Sequence, residues 1–262
     1  MGAKLKNYRA TKSYASLVLD FAIKRGIIQT NPFNLVDMPT AFTKKKAQEE
    51  KVENFYTKDE LNHFLSHVKG ENDIKKYTLF HLLAYTGMRK GELLALKWTD
   101  IDFENHEITV SKAISLDDKN KIYLKSTKTG KTRILSIDPI TENVLMQWKK
   151  EQMKDCIMLG FNAKTKTQLV FTNRFNGYIQ PSLTQKWLNA ILKKFNLKSI
   201  TTHGFRHTHC SLLFEAGVTI KEVQDRLGHT DVQTTMNIYA HVSKERKTSA
   251  IDKFVSYVHV AE

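Results

Sequence analysis

Apolar residues recur at three- and four-residue spacing through Tyr14, Leu17, Val18, Phe21 and Ala22, which predicts a helix from Lys12 to about Ile28. Asn31-Pro32 ends it. After a polar interval, Thr57-Lys58-Asp59-Glu60 sets Thr and Glu three residues apart, a capping box that opens a helix through Leu61, Phe64 and Leu65. A further helix is expected over Ile74 to Tyr85, then a turn at Gly87 and a shorter helix from Lys90 to about Leu96. Between about Glu107 and Ile137 the period changes. Ile108 and Val110, Ile122 and Leu124, and Ile134 and Ile137 lie in short β-prone runs, predicting a small antiparallel sheet whose last hairpin turns at Lys128-Thr129-Gly130-Lys131. Asp138-Pro139 starts a helix toward Lys150, and everything beyond about Pro181 reads as helical, with a second capping box from Thr219 to Glu222. The fold class is therefore mostly α with a small antiparallel β-sheet. Leu79, Leu82, Leu83, Leu212, Leu213, Val223 and Leu227 are its expected core.

The polar interval from Pro39 to about Phe55 carries Lys44-Lys45-Lys46, then Glu49, Glu50, Lys51 and Glu53, with no continuous apolar stripe. It reads as a linker. One helix ahead of it cannot bury much core. The expected division is a small helical segment over 1–38, a linker over 39–54 and a large domain over 55–262.

Composition narrows the class. With 41% hydrophobic and 26% charged residues, the 262-residue chain is balanced like a folded protein rather than a disordered one. Charge is the outlier: 41 Lys and Arg against 27 Asp and Glu leave +14, which suits a polyanionic partner, nucleic acid first. No apolar run is long enough for a membrane span and the N-terminus lacks a signal-peptide core, so a soluble intracellular protein is expected. Cys156 and Cys210 are far apart with no CxxC, and both read as reduced bystanders.

The chemistry concentrates in four short stretches. Thr86-Gly87-Met88-Arg89-Lys90-Gly91-Glu92-Leu93 places an arginine at a turn. Thr202-His203-Gly204-Phe205-Arg206-His207-Thr208 puts imidazole and guanidinium three apart, on one helix face. Leu227-Gly228-His229 follows, and Tyr239 lies ten residues past His229. In this order, T-G-x-R-x-x-E-L, H-x-x-R-H, L-G-H and the tyrosine resemble the signature of the tyrosine recombinases, the phage integrase family. The resemblance runs from about Phe55 to Tyr239, and the turn Lys125-Ser126-Thr127-Lys128-Thr129-Gly130 matches the place where the family carries a lysine. The residues before Pro39 resemble only the final part of the family's core-binding domain.

The resemblance implies an enzyme, a DNA strand transferase that cleaves and rejoins DNA through a 3′-phosphotyrosyl bond to Tyr239. Arg89, Arg206 and His229 would stabilise the charge that gathers on the phosphate oxygens, a task suited to planar guanidinium forks. His203 would serve as base for Tyr239, and Lys128 as the acid for the leaving 5′-oxygen. Glu92 would support the site, pairing with Arg89 or orienting His203. The 3′-phosphotyrosyl bond conserves energy, so no cofactor and no metal is expected, and no P-loop pattern occurs. The implied partners are double-stranded DNA recombination sites, with a homo-tetramer on DNA and a monomer off it. A DNA-bending accessory protein or an excisionase could join them. Integration or excision of a phage or mobile element, in the nucleoid of a bacterial or phage-infected cell, is the implied task.

Competing readings stay open at this point. Lys125 and Lys131 rival Lys128. His203, His207 and His209 invite a metal reading, but no HExxH is present and no nearby carboxylate offers a third ligand. Lys44-Lys45-Lys46 is either a solvated linker or a DNA-tracking one. A type IB topoisomerase-like activity uses the same residue types, and a non-catalytic DNA-binding module would use only the basic surface. Against the first of these, Ile251, Phe254, Val255 and Val258 form an apolar stripe in the tail from about residue 244, expected to dock on a neighbouring subunit. All six expected catalytic positions are present, which speaks against the second.

Overall fold

The computed structural model describes residues 8–35, 54–126, 132–228 and 236, and the chain divides into two compact units, Met1–Val52 and Glu53–Glu262. In the first unit, helix α1 spans Tyr8–Lys24. It stops four residues before the expected Ile28 because Gly26 turns left-handed (φ +71°), with its N–H on Ile23 O (2.9 Å) and that of Ile27 on Ala22 O (3.0 Å). Asn31 then fastens the returning chain, donating to Ser16 Oγ (2.8 Å) and Asp20 Oδ1 (2.6 Å). The periodic stripe of Tyr14, Leu17, Val18 and Phe21 forms on this helix as expected but is exposed. Among the described residues of its unit, one helix and a turn offer it nothing to pack on.

In the second unit, α2 (Lys58–Gly70) begins with the capping box read from the sequence: Glu60 N–H donates to Thr57 Oγ1 (3.3 Å) and Thr57 N–H to the Glu60 carboxylate (2.8 Å). Helix α3 (Ile74–Thr86) is buried nearly all round from Thr78 onward, and Leu79, Phe80, Leu82 and Leu83 are fully buried. It is the central element, packed by α2, by α5 (Pro139–Met158) and by α7 (Gly204–Glu215). The short α4 (Lys90–Leu93), α6 (Pro181–Lys194) and α8 (Ile220–Leu227) complete the α-helices of the described residues. Rings of Phe64, Phe80 and Phe205 meet at 5.2 to 5.7 Å, and Tyr56 closes on Phe205 at 6.0 Å. This cluster pins the first turn of α7 against α2 and α3, with each ring pair adding about 1 kcal/mol beyond burial.

The strands are β1 (Ile101–Asp102), β2 (Glu107–Val110), β3 (Lys112–Leu116), β4 (Ile122–Ser126) and β5 (Arg133–Ser136). Among the described residues all pairings are antiparallel, but they form two sheets, β1-β2-β5 and β3-β4. The expected pairing of β4 with β5 is thus corrected: β5 runs against β2, with Leu135 opposite Ile108, while β4 runs against β3. Side-chain facing explains it. Leu135 is buried beside Ile108, whereas Ile134 is 58% exposed, so the inward residue of β5 is the one that matches the inward face of β2. The expected turn at 128–131 lies outside the described residues. Leu212 and Leu213, expected in the core, are only half-buried, because the α7–α8 contact closes around Cys210, Phe214, Val223 and Leu227 instead. Cys156 and Cys210 are both free and buried. Among the described residues, no helix is long and apolar enough to cross a membrane.

Candidate active site

Two glycine corners build the site. Helix α3 ends at Gly87, which is left-handed (φ +63°), and a Cβ there would stand 2.6 Å from Leu227 Cδ2 and 2.7 Å from His209 Cδ2. Only glycine fits. Helix α8 ends at Gly228, left-handed in the same way (φ +65°). Gly87 hands the chain through the buried Met88 to Arg89, which caps α4, and a Cβ on Gly91 would meet Ile114 O of β3 at 2.7 Å.

Arg206 lies in the first turn of α7. That turn is held by the segment before α2: Thr201 N–H donates to Asn54 Oδ1 (2.8 Å), Asn54 Nδ2 to Thr201 Oγ1 (3.0 Å), and Tyr56 N–H to Thr208 Oγ1 (2.9 Å). Gly204 permits the approach, since a Cβ there would meet Asn54 O at 2.7 Å. The Arg206 side chain is 2% exposed, and it donates from Nη1 to Gly87 O (2.7 Å) and from Nη2 to Leu227 O (2.6 Å). Arg89 donates from Nη2 to the next carbonyl, Gly228 O (3.3 Å). Two guanidinium groups are therefore moored side by side at the carbonyl end of one helix, where the helix dipole favours cations. Burial first, and then the charge of Arg89, push the Arg206 pKa down to about 9. An anion placed between them would relieve both strains.

Glu92 is 1% exposed, and its carboxylate accepts from Arg89 N–H (2.9 Å) and Arg89 Nη1 (3.0 Å). Of the two roles weighed for it, the pairing with Arg89 is present. Its further partner was not singled out from the sequence: Arg133 donates in parallel from Nη1 (3.0 Å) and Nη2 (2.6 Å). Burial raises the Glu92 pKa, but Arg133 and then Arg89 outweigh it and hold the group below the ordinary carboxylate range. One signal was available. In a run of lysines at 119, 121, 125, 128 and 131, residue 133 is arginine, the residue suited to a bidentate fork.

His203 caps α7 at the exposed rim, with its ring 4.8 Å from that of His207. Surrounding protein, His207, Arg206, Arg89 and Lys90 together press its pKa down to about 4, so it is neutral at pH 7. His209 is buried behind the site. Its Nδ1–H donates to Ala84 O (2.8 Å), which leaves Nε2 to accept from Arg226 Nε–H (3.1 Å). No group of three or more His, Cys, Asp or Glu side chains placed to hold a metal ion occurs among the described residues. Arg89, Glu92, His203 and Arg206 are thus brought together. Lys128, His229, Tyr239 and the linker residues Lys44, Lys45 and Lys46 lie outside the described residues.

Known proteins resemble this chain in sequence and in fold. The tyrosine recombinase XerC-like protein of Caldanaerobacter subterraneus subsp. tengcongensis is 30% identical over 96% of this chain, and the ICEBs1 integrase of Bacillus subtilis is 29% identical over 96%. The chain spans 66% of the length of each. Among solved structures, the Tn1549 transposon integrase in complex with circular intermediate DNA superposes with a TM-score of 0.76 at 22% identity, over 97% of this chain and 81% of that one. A lambda integrase dimer bound to a core site gives 0.58 at 18%, over 87% and 71%. These two neighbours share the fold, mostly α with small antiparallel sheets. Residues 54–246 match the phage integrase family across three quarters of the sequence, and to that family the chain belongs.

Proposed function

We propose that this chain is the DNA-cleaving part of a site-specific recombinase that integrates or excises a phage or other mobile element. The observation that carries the reading is the mooring of Arg89 and Arg206 to the consecutive carbonyls of Gly228 and Leu227, which aims two fixed positive forks at one place. A DNA phosphodiester bound there is held by its non-bridging oxygens, and the forks hold it more tightly as those oxygens gain charge during in-line attack. Tyr239 Oη attacks phosphorus as its proton leaves toward His203. A phosphate anion between the arginines offsets the charges that depress His203 and so makes it a better acceptor. The P–O5′ bond breaks, Lys128 protonates the departing 5′-oxygen, and His229 donates to a phosphate oxygen. The product is a 3′-phosphotyrosyl ester. Attack on it by a second 5′-hydroxyl reverses each step and joins new strands without a cofactor.

Residues 1–38 are the end of a core-binding domain, 39–54 a linker whose Lys44, Lys45 and Lys46 follow the phosphate backbone, and 55–262 the catalytic domain. Its partners are double-stranded recombination sites and, on them, three further copies, with the tail from about residue 244 docking on a neighbour. A DNA-bending protein or an excisionase would set direction. Its place is the bacterial nucleoid. The Tn1549 and lambda integrase neighbours were solved on DNA, which supports the choice of partner.

The test is a pool of nicked duplexes with a randomised centre, from which denaturation-resistant protein–DNA adducts are recovered and sequenced. Adducts on a common sequence are expected. Tyr239→Phe should yield none while still retaining DNA. Adducts that persist in Tyr239→Phe would remove the assigned nucleophile, and no adduct from the unaltered chain would remove the cleavage reading.

A further inference from the structure

We infer that Arg133 is a positioning residue for strand cleavage, acting through Glu92 on Arg89. This rests on the cleavage reading above and adds to it a residue outside the six expected to touch the phosphate. Arg89 reaches the Glu92 carboxylate through one guanidinium nitrogen, Nη1 (3.0 Å). Its backbone N–H also holds Oε2 (2.9 Å), but that bond does not reach the guanidinium, so Arg89 alone ties its fork to the carboxylate at one point about which the two planes can turn. Arg133 removes this freedom. Its parallel bonds to both carboxylate oxygens (3.0 and 2.6 Å) fix the plane of Glu92. Arg133 is itself fixed at two points, its backbone pairing with Val110 in the sheet and its Nε–H donating to Arg226 O (3.2 Å), and its Cδ borders Gly228, where a Cβ would stand 3.2 Å from it. The same guanidinium thus joins β5, α4 and the end of α8. It ties Glu92 to the stretch of backbone whose Gly228 carbonyl holds the other end of Arg89.

The chemistry needs arginine here. A lysine would keep the charge that neutralises Glu92, but an ammonium cannot make two parallel bonds and a third to Arg226 O. Arg133→Lys therefore separates position from charge, and Arg133→Gln removes both. Each is compared with the unaltered chain in single-turnover adduct formation, on a duplex selected from the randomised pool. Three versions of the scissile linkage are used: the normal phosphodiester, a methylphosphonate that removes the charge of a non-bridging oxygen, and a 5′-bridging phosphorothiolate whose leaving group needs no acid. On the phosphodiester, Arg133→Lys should slow adduct formation about 10- to 100-fold at a temperature where circular dichroism shows it fully folded. The deficit should shrink toward parity on the methylphosphonate, where a well-aimed Arg89 matters least. It should persist on the phosphorothiolate. Equal deficits on all three substrates would mean a merely structural role and overturn the inference. So would no deficit, or rescue by the phosphorothiolate, which would place the action of Arg133 on Lys128, five positions before it. No adduct from the unaltered chain would instead overturn the cleavage reading, and this inference with it.

Discussion

Gly87 and Leu227 touch so closely that one added methyl group would close the gap: a Cβ on Gly87 would stand 2.6 Å from Leu227 Cδ2. The contact joins the end of the central helix to the end of α8, and Arg206 bridges the carbonyls of these same two residues. Gly87→Ala meets both a left-handed backbone and a wall. It should destabilise the protein by at least about 2 kcal/mol and lower its melting temperature by about 4 to 8 °C. Adduct formation should fall as well, because the corner that gives Arg206 one of its acceptors must move. An unshifted melting curve would show that the corner opens at no cost.

Arg206→Lys tests the fork itself. The ammonium keeps the charge but reaches only one of the two carbonyls, so the group aimed at the phosphate is no longer held. Cleavage should drop about 100- to 1000-fold, while the amount of DNA retained on a filter changes little. A loss confined to DNA retention would mean that Arg206 grips substrate without favouring the transition state.

Much of this site was legible in the sequence where the chemistry is local. The capping boxes at Thr57 and Thr219 formed as read, because both partners lie within four residues. Arg89, Glu92, His203 and Arg206 were found through short spacings, and the structure brings them together. What escaped was non-local. Glu92 and Arg133 are 41 positions apart, and nothing within either stretch announces the other. The strand pairing failed for a similar reason: adjacency along the chain favoured β4 with β5, whereas the buried face of Leu135 required β2. The β3 strand was missed altogether, since what makes Lys112–Leu116 a strand is its pairing with β4, a non-local ladder.

Glu92→Gln keeps the shape of the carboxylate and removes its charge. The amide offers one acceptor where four donor bonds converged, and its NH2 group faces guanidinium donors. Breaking a buried pair in this way costs about 3 to 5 kcal/mol, which urea unfolding would register. A loss below about 1 kcal/mol would place this pair with exposed ion pairs, despite its burial.

Acid should destabilise the protein from about pH 6.5 downward. His209 and His81 are both buried, and burial, the largest cause at each, holds their pKa values down at about 4. Above pH 6.5 each is neutral in the folded and unfolded chain alike, so its contribution is complete. Below 6.5 the unfolded chain takes up protons that the folded one refuses. Stability is then lost at about 1.4 kcal/mol per pH unit for each group, until the folded state also protonates near pH 4. Glu92 and Asp138 are held below the ordinary carboxylate range, so they remain ionised over the upper part of this window. At His209 the chemistry is specific, because protonated Nε2 would turn a donor toward the Arg226 Nε–H it now accepts from. Asn at this position can still donate to Ala84 O, but it has no proton to gain. Between pH 7 and pH 5, His209→Asn should therefore lose about 2 kcal/mol less stability than the unaltered chain in urea titrations, whatever its starting value. Parallel losses in the two proteins would show that His209 is not the group taking up the proton.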